Sequence, residues 1–387
     1  MPKKFKRNCD FCEKPYVGYG AKYCSKKCSQ KAATMQELAG TPDVGDHIDA
    51  KKADVVAKWE AKTSKQLWKE RAWTSLIMDA CLDAIKVTPE PTLEKYRGKT
   101  RTSKKVAPKH TETANLMISD VEIGQFVDPV ETGGYGNYNF KVFQERARNM
   151  KYGVEQILNL HQSLYPVPTL NVFFLGDIVH GMNSSGAWGP AYLEFDVVQQ
   201  MFKGVTAFAE MLMYWSQIVD EINVVGVYGN HGRGASMGKE KYYVNWDYIM
   251  LEFLREKLKN YKNIKWTVDT SWFKMHDIMG HTALCVHGDD TKGWMGTPFY
   301  GLVRDTKSYK SVFEKDIKFV LLGHHHVMAE VPVDNTFVKV NGNWVGGSTY
   351  SLKSCKATSK PQQRMFGVSS HGETWEYKID LDRERNV

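Results

Sequence analysis

Long apolar runs are missing from this chain of 387 residues. None approaches the ~20 residues that cross a bilayer, and no basic segment followed by an apolar stretch opens the sequence, so a cytoplasmic protein with no membrane span is expected. Cysteine is scarce, with 7 residues, and proline numbers 13. Cysteines so few favour metal binding in a reducing cytoplasm over the alternative of two disulfides. No period of self-similarity marks a solenoid or propeller. Positive charge has no surplus in the body of the chain. Residues 1–110 carry 24 Lys and Arg against 13 Asp and Glu, and the rest carry 28 against 31, so the whole excess of +8 lies at the N-terminal end. No recognition helix or RNA-binding signature stands out, so sequence-specific readout of nucleic acid is not expected.

Four short segments in the second half each end an apolar run on Gly and then a metal-binding residue type. They are FFLGDIVH (Phe173 to His180), VVGVYGNH (Val224 to His231), ALCVHGD (Ala283 to Asp289) and FVLLGHHH (Phe319 to His326). An apolar run broken in this way describes a strand leaving a sheet, and open α/β sheets gather their ligands beyond the strand tips. The groups offered there are Asp177, Asn230, His287, His324 and His326. This blend of carboxylate, amide oxygen and imidazole suits Mn, Fe, Zn or Mg better than a cysteine-dominated structural zinc site. A carboxylate in reach of two ions ~3.5–4 Å apart would allow two-metal phosphoester hydrolysis.

The order GD, GNH, a lone His after a strand, then GHxH resembles the calcineurin-like metallophosphoesterase superfamily, over residues 113 to 355. That family opens with DxH on its first strand. The matching segment is LMISDVEIG (Leu116 to Gly124), with Asp120 in place and Glu122 where His is usual. The resemblance implies a first metal held by Asp120, Glu122, a bridging Asp177 and His326, and a second by Asp177, Asn230, His287 and His324. It also implies a transition-state or proton-donating role for His231. The acidic residue usual after GNH is Gly232 here. GDIVHG, with His180 three residues after Asp177, resembles the DNA-repair exonuclease branch, where that histidine assists hydrolysis; the other reading of His180 is a hydrogen bond to a ligand carboxylate. Arg233 offers a phosphate contact or, equally, pins its loop. Phosphoprotein phosphatase motifs, GDxVDRG and GNHE, are absent.

Near the start, Cys9, Cys12, Cys24 and Cys28 give C-x2-C-x11-C-x3-C. That spacing fits four thiolates around one structural zinc, and the flanking KRNCDFC and AKYCSKKCSQKA resemble small treble-clef-like fingers that precede nuclease domains. Set in a basic segment, such a finger suits the phosphate backbone of DNA, where Lys and Arg gain affinity by releasing counterions. Cys81, Cys285 and Cys355 read as small buried hydrophobes.

The expected organisation is a zinc finger at 1–35, a helical segment and basic linker at 36–112, and a catalytic domain at 113–387. Spacing predicts one or two helices over Lys51 to Lys86, and amphipathic helices over Phe140 to Leu164 and Phe195 to Asp220. Glycine-rich Asp128 to Asn139 reads as a loop, and the tail after GHHH as antiparallel strands finishing the sheet. The fold class is thus layered α/β, a metallophosphoesterase-type β-sandwich flanked by helices. The expected function is phosphodiester hydrolysis, most of all of DNA, with two divalent ions (Mn first; Mg, Fe or Zn as alternatives), nucleic acid as partner and a protein partner left open. The alternatives are a phosphatase or phosphodiesterase of small molecules or phosphoproteins, and a non-catalytic nucleic-acid-binding protein on the same fold.

Overall fold

The computed structural model describes residues 5–9, 15–18, 25–26, 28–29, 94–96, 110–182, 192–234, 244–292 and 298–382. The chain divides into two compact units, Met1–Asp83 and Ala84–Val387. In the first, β1 (Phe5–Asn8) and β2 (Pro15–Gly18) pair antiparallel, and Cys9, just past β1, is buried. Cys12, Cys24 and the helices expected over Lys51 to Lys86 lie outside the described residues.

The second unit has two sheets. Largely apolar runs form the parallel strands β3 (Thr113–Ile118), β4 (Thr169–Leu175) and β5 (Glu221–Val227), as strands covered on both faces require, and the alternating IKWTV forms the parallel edge strand β6 (Ile264–Val268). Helices α1 (Phe140–Gln162), α2 (Val197–Trp215) and α3 (Trp246–Lys257) make the crossovers. Each starts on a side-chain cap: Asn139 accepts from the Val142 amide, Asp196 from Gln199 and Asn245 from Asp247. Helix α1 buries Phe143, Ala147, Met150, Val154 and Leu158, the spacing of one helical stripe. Phe208 of α2 meets Phe174 edge-on at 5.0 Å.

The other sheet holds β7 (Lys274–Ile278), β8 (His281–Cys285), β9 (Ile317–Leu322), β10 (Ala329–Val333) and β11 (Thr336–Val340), in the order β10-β11-β9-β8-β7. Helix α4 (Phe299–Phe313) places Leu302 against its outer face with Val320, Leu322 and Val338. Between the sheets, Met117, Phe173, Leu175, Val225 and Val227 meet Ala283, Cys285, Phe319 and Leu321. The first sheet is completed by the hairpin β12 (Gln362–Ser369) and β13 (Gly372–Asp380), in the order β13-β12-β3-β4-β5-β6. The layered α/β architecture expected from the sequence is therefore the one observed. The tail departs from expectation by dividing between the two sheets, and β11 runs parallel to β9. Alternation tells which face a strand buries and is silent on which sheet receives it.

Two polar devices brace this core. Asn115, Asn171 and Asn223 stand in register on β3, β4 and β5, each later amide donating to the oxygen before it at 2.8 and 3.1 Å. On β11, the fully buried Lys339 ammonium is surrounded by Glu330 of β10 and by Glu373 and Glu376 of β13, which ties one sheet to the other. The ammonium fills the middle of this acidic group, which accounts for it without a metal ion.

Candidate metal centre

The tips of β3 and β4 run on as a pair beyond the sheet. Val121 and Glu122 amides both donate to the Asp177 carbonyl, at 2.8 and 3.0 Å, Ile123 donates to Ile178, and His180 donates back to Ile123. Along these tips the backbone is strained. Nine non-glycine residues adopt positive φ among the described residues, and five of them are Asp120, Glu122, Asp177, His324 and His326. A left-handed L-residue costs ~1–2 kcal/mol, and strain concentrated on residues chosen independently for their chemistry points to a functional site. The glycines ahead of Asn230 and His324 have a steric reason. A Cβ on Gly229 would stand 2.0 Å from Asp177 Oδ1, and one on Gly323 would stand 2.6 Å from Asp120 Oδ2.

Two clusters result. In the first, His287 Nε2 lies 3.0 Å from Asp177 Oδ2 and 3.0 Å from Asn230 Oδ1, with the His324 ring 5.1 Å from the His287 ring. Asp177, His287 and His324 each offer one atom to a common centre. His287 Nδ1 donates to the Leu175 carbonyl at 2.7 Å, which fixes the tautomer and turns Nε2 into the site. In the second cluster, His326 Nε2 is 3.3 Å from Asp120 Oδ1 and 3.3 Å from Glu122 Oε1. Donors ~2.1 Å from one ion lie ~3.0–3.4 Å from one another, so both clusters have ligand spacing. Asp177 Oδ2 is buried against the His287 imidazole, 3.0 Å away, so carboxylate and ring converge on one point. This set of carboxylates, imidazoles and an amide oxygen fits divalent metal ions.

Beside the second cluster, Glu122 Oε2 accepts from His180 Nδ1 at 2.9 Å, and Oε1 lies 4.0 Å from His231 Nε2. The His180 and His231 rings are 5.0 Å apart, and the His231 amide donates to Asp177 Oδ1 at 2.8 Å. Burial alone would raise the Glu122 carboxyl, but the imidazoles of His231, His180 and His326 hold it down at about 2. Against the same burial, His287 and His231 hold Asp177 far below the carboxylate range. Burial works against charging His287 and His326, yet Asp177 holds the first up at about 10, and Asp120 with Glu122 the second at about 9. Burial and His287 push His324 down to about 3. For His231, Glu122 and Asp177 outweigh burial and raise the pKa.

All seven proposed ligands, with His180 and His231, thus come together at the strand tips. Arg233 binds elsewhere: its guanidinium pairs with Asp289 at 2.5 Å, which matches the loop-pinning alternative. The loop over Asp128 to Asn139 is tied down by Tyr138, whose buried hydroxyl donates to the Val121 carbonyl at 2.5 Å.

Sequence reasoning missed Asp247. Its buried carboxylate accepts from four amides, Asp177 and Gly229 on Oδ2 at 2.8 and 3.0 Å, and Ile178 and Val179 on Oδ1 at 3.0 Å each. It clamps the loop carrying Asp177 to the loop carrying Asn230. Burial, then the Asp177 charge, pushes its pKa up to about 6. One signal was available in the sequence: the acidic residue absent at Gly232. A side chain there has no room, since its Cβ would meet Asn245 Oδ1 at 2.3 Å, and the carboxylate arrives from the start of α3 instead.

Glu122, Asp177, Asn230, His231, His324 and His326 line a cleft of about 580 Å³. Another cavity, of about 510 Å³ and bordered by α1 and α2, contains none of them. No protein-family profile matches the chain, and no curated protein matches it in sequence. Similar solved structures include Vps29 complexed with zinc from Entamoeba histolytica, 11% identical over 69% of this chain and 92% of that one, with a TM-score of 0.33. A predicted phosphoesterase from Streptococcus pneumoniae is 9% identical over 69% and 98%, with a TM-score of 0.28. An archaeal phosphodiesterase is 14% identical over 68% and 99%, with a TM-score of 0.30.

Proposed function

We propose that this chain is a two-metal phosphoesterase that cleaves phosphodiester bonds, with DNA held by the basic N-terminal part as the polymer substrate. The observation that carries the reading is the pair of buried donor clusters, Asp177–Asn230–His287–His324 and Asp120–Glu122–His326, on adjoining strand tips with strained backbone. Sharing of Asp177 between two ions belongs to the proposal. Ions bound there would supply an activated water and neutralise charge on the phosphoryl group.

The chain's own residues do the rest. His231, whose Nε2 lies 4.0 Å from Glu122 Oε1 and which lines the cleft, is the group assigned to protonate the leaving oxygen. His180 is oriented by the bond that its Nδ1 donates to Glu122, and it lines the cleft. Asp247 keeps the Asp177 and Asn230 loops at a fixed separation, so the donors need no rearrangement to receive an ion.

The test is elemental analysis of the full chain with assays of bis(p-nitrophenyl) phosphate and DNA in Mn, Mg, Zn and Fe. Turnover of the diester is expected, and Asp177→Asn and His324→Ala should abolish it through metal loss in a folded protein. Substantial turnover by both variants at unchanged metal stoichiometry would remove the two-metal reading.

A further inference from the structure

Exposed aromatic rings line the metal-centre cleft. Phe126 is 38% exposed, Phe299 44% and Tyr350 53%, and all three line it, as does Val327 at 49%. Exposed apolar surface concentrated beside a reactive centre marks a ligand surface, whereas scattered single residues do not. Backbone bonds hold two of these rings in place. The Phe126 amide donates to the Tyr192 carbonyl at 2.8 Å. Tyr350 stands in a turn closed by reciprocal bonds between Ser348 and Ser351, at 2.8 and 3.1 Å. Phe299 opens helix α4.

Away from Glu122, Asp177 and the histidines, the polar lining is uncharged. Gln125, Ser348, Thr349, Thr358 and Ser359 supply an amide and hydroxyls, and among the described lining residues there is no Lys or Arg. A wall built to grip successive phosphates would need cations. This one suits a flat, uncharged group with hydrogen-bonding edges, attached to a phosphate that the metal cluster receives. A lipid chain would leave these hydroxyls unmatched, and a phosphorylated serine or threonine carries no ring of its own to stack.

Resting on the phosphoesterase reading, we infer that this cleft is a subsite for an unpaired nucleobase, stacked on Phe126, Phe299 or Tyr350 while its phosphate meets the metal centre. The substrate class is then a nucleotide diester or a single-stranded end, since bases inside a duplex have no free face. Stacking of a base on an aromatic ring is tolerant of sequence, which agrees with the absence of a readout element.

The test uses the full chain turning over bis(p-nitrophenyl) phosphate, with thymidine 5′-monophosphate, 2-deoxyribose 5-phosphate and phenyl phosphate as competing inhibitors. The three share a phosphate and differ in what is attached. The inhibition constant of the nucleotide should be at least about tenfold below that of the sugar phosphate, ~1.4 kcal/mol and within the usual range for a stacked base. Phe126→Leu and Tyr350→Leu should each erode that ratio about threefold or more, and Tyr350→Phe should preserve it. Equal inhibition by nucleotide and sugar phosphate would overturn the inference and leave the phosphoesterase standing. Phenyl phosphate as tight as the nucleotide would also overturn it, as a slot for any ring. A ratio untouched in both leucine variants would remove these rings from the assignment. No turnover of the reporter with any of the four metals would instead sink the phosphoesterase reading itself, and this inference with it.

Discussion

Replacing Asp247 by Ala tests how the metal centre is assembled, because it touches no proposed ligand side chain. The substitution strips the acceptor from four buried amides, two of them belonging to Asp177 and Gly229. An unpaired buried donor costs ~1–3 kcal/mol, and a water entering the vacated space takes the low end, so four amount to ~4 kcal/mol. Relief of a carboxylate buried beside Asp177, which lifts its pKa to about 6, returns part of this. The expected net loss is ~2–4 kcal/mol out of a typical 5–15. Urea denaturation followed by circular dichroism at pH 7.5 reads the loss. Metal affinity, measured by competition with a chromophoric chelator, should weaken ~10–100-fold, as when groups orienting ligands are removed. A variant within ~1 kcal/mol of the parent, with unchanged metal affinity, would refute the clamp.

Glu122→His should retain hydrolysis and shift metal preference towards Zn or Fe, since imidazole is the softer donor; a metal profile identical to the parent's would mean that Glu122 serves only His180 and His231. In the chelated protein, Glu122 stabilises above its unfolded value near 4.5, and this is lost as pH falls towards 2. His287 and His326 stabilise fully below 6.5, and this is lost as pH rises through 9 to 10. The melting temperature in chelator should therefore peak near pH 5–6 and fall on the alkaline side; a continued rise from pH 6.5 to 9.5 would contradict the ion pairs. Added metal should raise it most above pH 9 to 10, where protons no longer compete for the His287 and His326 imidazoles. Cys9→Ser with Cys12→Ser should lower DNA affinity and flatten its salt dependence while hydrolysis of the small diester persists; an unaltered salt slope would place polymer binding elsewhere.

The proposed ligands were legible because their chemistry and their strand ends coincide in sequence. A buried run closing on Gly-Asp or Gly-Asn states both where the chain leaves the sheet and what it carries. Asp247 was hidden for the opposite reason. Within VNWDY it looks like an acidic residue in the first turn of a helix, where a carboxylate is favourable anyway. Its partners lie 18 to 70 residues away and are main-chain groups, which no side-chain pattern announces. The division of the tail between sheets was hidden as well, since nothing within the strands of β10–β11 and β12–β13 names the sheet that receives them. Which sheet each joins depends on neighbours such as Phe319 and Leu116, far off in the chain.

The row of asparagines across β3, β4 and β5 has an evolutionary consequence. From that level line, Asp120 lies five residues on from Asn115, Asp177 six from Asn171 and Asn230 seven from Asn223. Because the amides hold the three strands at one height, gaining or losing a residue between asparagine and ligand cannot be absorbed by sliding a strand. The displaced ligand would move along its own chain while the other two stayed. Length variation among descendants of this sequence should therefore collect outside these three spans, and adaptation within them should proceed by exchanging one side chain for another.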